Sequence, residues 1–345
     1  MTAMAYGEAG QAGLMRRRAA RLLAFARRRG RRGREAHGIV LMYHRIASLA
    51  ADPWELAVQP NHFEAQMREL RKHADIVPLF RLREEFRKGR RSRPAVAITF
   101  DDGYADNLTV AKPILERYEA PATVFLATGY VGRREEFWWN RLARLLLGEQ
   151  VLPVSQELSA RGEIFLWDDP ALGMAGSAAH QARRRLHDRL WDWLCGQTEE
   201  DRSKVLQLLE TRMEAPLPAD RDGWPLTPDE VGALVAGGLV DIGAHTVTHP
   251  MLSRLPSGDK AIEIRQSRAY CRRLSGRDPA CFAFPHGDLD DECVALTREA
   301  GFDIACTSEP DLVWSTGNPH RTPRIFVRNE GGAALLRRLR WYWLA

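Results

Sequence analysis

Cysteine is scarce and unpatterned in this chain. Cys195, Cys271, Cys281, Cys293 and Cys306 are odd in number and contain no C-x-x-C pair. That excludes a disulfide scaffold and a zinc ribbon, and cysteine used as a small apolar residue suits a reducing compartment. Long hydrophobic runs are missing too. The most apolar part of the N-terminal region, AARLLAFA, is broken by Arg21 and is too short to span a bilayer. It also lacks the clean apolar segment and small-residue cleavage site of a secretion signal. Nor is there a large excess of one charge: 50 Lys and Arg against 45 Asp and Glu leave +5, too little to argue for nucleic acid as a partner. Together these features predict a cytoplasmic protein.

The basic charge that is present is concentrated. Residues 15–34 hold ten arginines around a few apolar side chains. A solvated basic arm over 1–36 is the plain expectation. Leu14, Leu22, Leu23 and Phe25 could also line one side of a helix and let the arm lie peripherally on the inner, anionic face of the membrane.

From GIVLMYHRI (38–46) a strand–helix rhythm begins. Asn61 is placed to cap a helix with Phe63, Met67 and Leu70 on one face. Short strands follow at 76–79, 95–100 and 122–128, with a helix through NLTVAKPILERY between the last two. The rhythm breaks over 132–226, which reads as a mainly helical insertion with EIFLW (163–167) its only strand candidate. It resumes over 227–330, opening with a helix whose Thr227 and Glu230 have capping-box spacing. Strands follow at 239–245 and 281–285 and within FDIACTS, and the chain ends in a helical tail at 331–345. Strands alternating with helices predict an α/β fold with a parallel sheet, split as 37–131 and 227–330 by the insertion.

The chemistry sits at the strand ends. AVAITF runs without a spacer into Asp101 and Asp102; two carboxylates held close repel unless a cation is present, so they ask for a metal, a base role, or both. His44 ends the first strand. His245 ends the strand at 239–244, with His249 four residues on, and His286 follows CFAFP. In a parallel α/β fold these ends share one face. Two imidazoles and one carboxylate make a catalytic zinc site with an open position. The second carboxylate would then accept a proton from water held there.

TFDDG with a downstream H-T-V-T-H-P resembles the polysaccharide deacetylases, the NodB-homology family also known as carbohydrate esterase family 4. LMYHRI and FAFPHG are similar to that family's flanking motifs. The resemblance covers roughly 38–130 and 225–328. It implies a distorted (β/α) barrel of about seven parallel strands and hydrolysis of N-acetyl groups on amino sugars of a polysaccharide or glycan precursor. It makes Asp101 the general base and Asp102, His245 and His249 the ligands of a divalent metal, usually zinc. The backbone N–H of His286, where tyrosine is commoner, would hold the oxyanion. The family's arginine before the third motif is absent, and Arg324 is the candidate to replace it. No clean match exists for the usual C-terminal histidine acid, so His44 is preferred as the acid over His320. Two alternatives stand beside this reading: a hydrolase of a non-carbohydrate amide, and an inactive carbohydrate-binding homologue. Trp138, Trp139, Trp167, Trp191 and Trp193 could stack on sugars or form the core of the insertion.

Overall fold

A computed structural model describes residues 36–49, 51–87, 93–148, 151–214, 221 and 223–344. The basic arm at 15–34 lies outside the described residues. Among them, no helix is long and apolar enough to cross a membrane, and no disulfide joins the five cysteines.

The principal strands are β1 (His37–Tyr43), β4 (Asp75–Ile76), β5 (Ala95–Phe100), β6 (Ala122–Leu126), β9 (Val240–Ala244), β10 (Cys281–Ala283), β11 (Ile304–Cys306), β12 (Val313–Trp314) and β13 (Ile325–Phe326). Two minor pairs complete the set: β2 (Arg45–Ile46) with β3 (Ala57–Val58), and β7 (Ser155–Ala160) with β8 (Glu163–Asp168). The main sheet runs β11-β10-β9-β6-β5-β1-β12, with β4 beside β5 and β13 beside β1. All its pairings are parallel except that of β12 with β1. It forms a strongly curled half-barrel of seven strands.

Side-chain period explains the curl. Along β5, Val96, Ile98 and Phe100 face the helices in the large outer core. Ala95 and Ala97 face inward, in one cluster with Val40, Phe125, Cys281, Cys306 and Val313 from strands across the whole sheet. Small inward residues leave room for the sheet to close on itself. The opening is bridged by 322–326, since Thr322 pairs with Cys306 of β11 while Ile325 and Phe326 pair with Leu41 and Met42 of β1. The last helix, Gly332–Leu344, packs on the helix Pro60–His73.

Several local expectations shift. The first helix is capped by Gln59, with Pro60 in its first turn. Asn61 is already inside it, because proline's fixed φ starts a helix well. The strand expected at 76–79 stops at Ile76, and Leu79–Arg81 turns as a 3-10 helix. The helix after Asp101 and Asp102 begins as a π turn, Asn107–Ala111, ahead of Lys112–Arg117. The capping box of Thr227 and Glu230 is present in both directions.

The segment between β6 and β9 carries the helices Trp138–Leu147, Ser177–Cys195 and Glu199–Arg212 around a core of its own. It also holds the β7–β8 hairpin, which sequence reading caught only in part. Its turn is Arg161–Gly162, both at positive φ, a type I′ geometry normally signalled by Asn-Gly.

Gly243 lies on the inward face of β9, where an added Cβ would sit 2.3 Å from Cδ1 of Phe125 and 2.9 Å from the Cys281 carbonyl oxygen. Gly243→Ala is expected to destabilise the protein by about 1–3 kcal/mol through overpacking. In urea this should appear as a lower midpoint with an unchanged slope.

Candidate active site

Three strands deliver their site residues by the same rule. Successive side chains alternate, so inward positions 95, 97 and 99 of β5 continue to Asp101. Positions 40 and 42 of β1 continue to His44, and 241 and 243 of β9 to His245. Asp101 is still on the ladder, its N–H donating to the Tyr43 carbonyl at 3.0 Å. Asp102 would point outward if the strand went on. Instead it takes φ +74°, followed by Gly103 at +85°, and this turn brings the second carboxylate to the same side. Chain returning from the insertion pins the turn: Ala105 N–H donates to the Trp224 carbonyl at 2.8 Å, and Leu226 N–H to that of Gly103 at 3.0 Å.

Asp102, His245 and His249 converge, each offering a ligand atom within 4.8 Å of the others. The Nε2 atoms of His245 and His249 stand 3.5 and 3.3 Å from Oδ1 of Asp102. His245 Nδ1 lies 2.8 Å from the Ala283 carbonyl. A carbonyl can only accept, so Nδ1 carries the proton and Nε2 presents its lone pair to the cluster. The His249 loop is tied down by Glu263, which accepts from the N–H groups of Val247 (2.6 Å) and Thr248 (2.9 Å) and from the Thr248 hydroxyl (2.7 Å). Burial lowers the pKa of His245 to about 4, against the opposing pull of Asp101. Burial alone would raise that of Asp102, but the close approach of the His249 imidazole outweighs it and holds the carboxyl below its usual range. Asp102 Oδ1 and His249 Nδ1 are buried without a hydrogen-bond partner. A buried anionic oxygen facing two imidazoles, one of them fixed in the ligating tautomer, fits a divalent metal.

Asp101 is held differently. The Arg324 guanidinium donates to both its oxygens, at 2.6 and 2.7 Å. It also donates to the Thr99 hydroxyl at 3.2 Å and the Thr307 carbonyl at 3.0 Å. Arg324 is 1% exposed and Asp101 3%, so neither charge is shared with solvent. Burial pushes the Asp101 pKa up; the guanidinium, helped by His245, brings it below its ordinary value. His44 Nε2 stands 3.9 Å from Oδ2 of Asp101. His286, at φ +57°, sets its ring 4.4 Å from that of His249. Burial, reinforced by the neighbouring His249, drives the His286 pKa well down.

All seven of these residues line one cavity of about 310 Å³. A second cavity, of about 260 Å³, opens at the opposite ends of the strands, around Asp241 and Arg277. It holds none of the strand-end residues, so the chemistry belongs to the first. The alternative acid His320 is not in the cavity; its Nε2 donates to the Phe302 carbonyl at 2.9 Å, a structural bond.

The family model for polysaccharide deacetylase matches residues 88–165 and 193–305. The chain is a member of the polysaccharide deacetylase family. It is therefore an amide hydrolase by family. The poly-β-1,6-N-acetyl-D-glucosamine N-deacetylase of Staphylococcus aureus is 30% identical over 318 residues, 88% of this chain and 83% of that one. With YxkH of Bacillus subtilis the identity is 34% over 97 residues, 28% of this chain and 33% of that one. The deacetylase PplD of Streptococcus pyogenes superposes with a TM-score of 0.56 at 16% identity, over 88% of this chain and 98% of that one. IcaB of Ammonifex degensii superposes with 0.54 at 17%, over 89% and 98%. At these identities the two structures show the common barrel.

Sequence reasoning missed several cavity residues. Met42 carried a signal, since it precedes His44 by two on the same strand face. Trp54 and Leu56, from a connecting segment, and Phe326, from the two-residue β13, also line the cavity with no pattern that marks them. Of the five tryptophans singled out, Trp138, Trp139 and Trp167 are buried in the core of the insertion, while Trp139 and Trp191 reach the cavity.

Asp102→Ala and His249→Ala are each expected to abolish stoichiometric binding of a divalent metal, read by equilibrium dialysis and elemental analysis. Arg324→Met leaves Asp101 buried without its cation and should destabilise the fold by about 3–5 kcal/mol at neutral pH. The deficit should shrink as pH falls, because a protonated Asp101 no longer needs the partner.

Proposed function

We propose that this deacetylase hydrolyses the N-acetyl group of an N-acetylglucosamine-type glycan, with Asp101 as general base at a metal held by Asp102, His245 and His249. The observation that carries the reading is the pair of buried carboxylates in one cavity, one facing two imidazoles and the other clamped by an arginine. Two carboxylates so close need unlike environments to take unlike roles. The substrate class follows from the relative at 30% identity, which is named for de-N-acetylation of poly-β-1,6-N-acetyl-D-glucosamine. A donor set of two imidazoles and one carboxylate favours zinc over the oxygen-seeking cations.

A bound divalent cation would supply Lewis acidity toward the acetyl carbonyl and the attacking water. The remaining chemistry falls to the side chains. Asp101, kept ionised by Arg324, takes a proton from the water as its oxygen bonds to the carbonyl carbon. Arg324 also fixes the carboxylate's orientation, so that no reorganisation is needed as the proton moves. The backbone N–H of His286 stabilises the oxyanion. His44, beside Asp101 and reached from the same cavity, delivers a proton to the nitrogen as the C–N bond breaks, giving acetate and a free amine. The replacement of the family's usual arginine by Arg324 supports an active enzyme over an inactive homologue, since the guanidinium still reaches the base.

Acetate release from a β-1,6-linked N-acetylglucosamine oligomer, with zinc added, is the direct test. Activity confined to small cyclic amides would refute the glycan reading. Asp101→Asn should keep its metal and lose at least about 10²-fold in rate. His44→Ala should keep its metal, lose most of its rate and lose the alkaline limb of the pH–rate profile. The same result from His320→Ala instead would reassign the acid.

A further inference from the structure

Two tryptophans of the cavity, Trp54 and Trp191, lie outside the stretches that the family model matches. Trp191 falls in the unmatched gap between residues 165 and 193, and Trp54 precedes the first matched residue, 88. Both line the cavity, and both are half-buried, unlike the buried core tryptophans Trp138, Trp139 and Trp167. A line of ring contacts leads to them from the metal ligands. His249 touches His286 at 4.4 Å, His286 touches Trp191 at 5.7 Å, and Trp191 touches Trp54 at 4.9 Å between centroids.

The wall they form is rigid. Trp191 stacks on Trp138 at 6.1 Å and 27°. The loop bearing Trp54 is closed by Asp52, whose two oxygens accept from the N–H groups of Leu56 (2.9 Å) and Ala57 (2.8 Å). It is joined to the Trp191 helix by Arg184, which donates to the Pro53 carbonyl at 2.9 Å. A cavity of about 310 Å³ is at the small end of ligand pockets, roughly 300–1,000 Å³. It has room for one acetylated sugar, so the rest of a longer glycan must leave along its walls. Aromatic faces are suited to the C–H face of a pyranose, leaving its hydroxyls to water.

We propose that Trp191 and Trp54 form a stacking wall for the sugar next to the one that is deacetylated, and so determine the preference for a glycan over a single sugar. This rests on the glycan-deacetylase reading. The test compares acetate release from N-acetylglucosamine with that from its trimers in β-1,6 and β-1,4 linkage, using the zinc-loaded full chain. Trp54→Ala and Trp191→Ala should each lower kcat/KM on at least one trimer by about 3- to 10-fold, leave the monomer rate within about twofold, and show Trp191→Phe recovering most of the loss. An equal loss on monomer and trimer, or no loss on either trimer, overturns the proposal. Calorimetric titration of the trimers separates it from the functional reading. If a trimer binds without releasing acetate, the chemistry has failed, while the wall stands only if Trp54→Ala weakens that binding. If neither trimer binds or reacts, both fall.

Discussion

The pair between Asp101 and Arg324 is the interaction on which the rest depends. Each is a full charge in the interior, where an isolated ion would be prohibitively costly. Each is tolerable because the other is there in two-pronged register. Two more guanidinium donors are met by a threonine hydroxyl and a backbone carbonyl, with the Phe125 ring lying 5.5 Å from its centre. The carboxylate belongs to the end of β5, and the guanidinium to the segment that bridges β11 and β1. Closing the sheet and neutralising Asp101 are therefore one event. The arginine expected before the third motif is absent, and Arg324 reaches Asp101 from the seam instead.

Much of the site was legible because a β-strand has a period of two and a parallel sheet has one chemically rich end. His44, Asp101 and His245 each continue an inward register already visible in the apolar residues before them. Asp102 joins them by a left-handed turn, and Gly103 after it is the one sign of that in the sequence. What stayed hidden was what depends on chain meeting chain over long separations. Arg324 is 223 residues from Asp101, and nothing local distinguishes it from an edge arginine. Glu263 fastens the His249 loop from a helix fourteen residues on, where it reads as one more solvated acid. The β7–β8 hairpin was half-seen because Arg-Gly is a weak turn signal, although the burial of Leu158, Ala160, Phe165 and Trp167 on one face gives it ordinary strand alternation.

Barrel and additions divide the labour. The half-barrel supplies every titratable group of the cavity. The segment between β6 and β9, with the loop after β2, supplies walls. They meet at Trp139, whose ring lies 4.7 Å from that of His249 and whose Nε1 donates to the Tyr104 hydroxyl at 2.7 Å. A residue of the β6–β9 segment thus packs directly on His249 and bonds to the loop after Asp101 and Asp102. Change in the walls can be felt at the ligands without touching the strands.

The seam at 322–326 also bears on how the chain comes to its native state. Every other titratable group in the cavity precedes residue 309 in the chain, yet Asp101 lacks its partner until 322–326 closes onto the first strand. Loop-closure entropy must be met across almost the whole barrel before that contact rewards it. Until then Asp101 is an unneutralised acid at the mouth of an open sheet, and the interior favours its protonated form. Closure of the seam and neutralisation of Asp101 are therefore expected to come together, and late in folding.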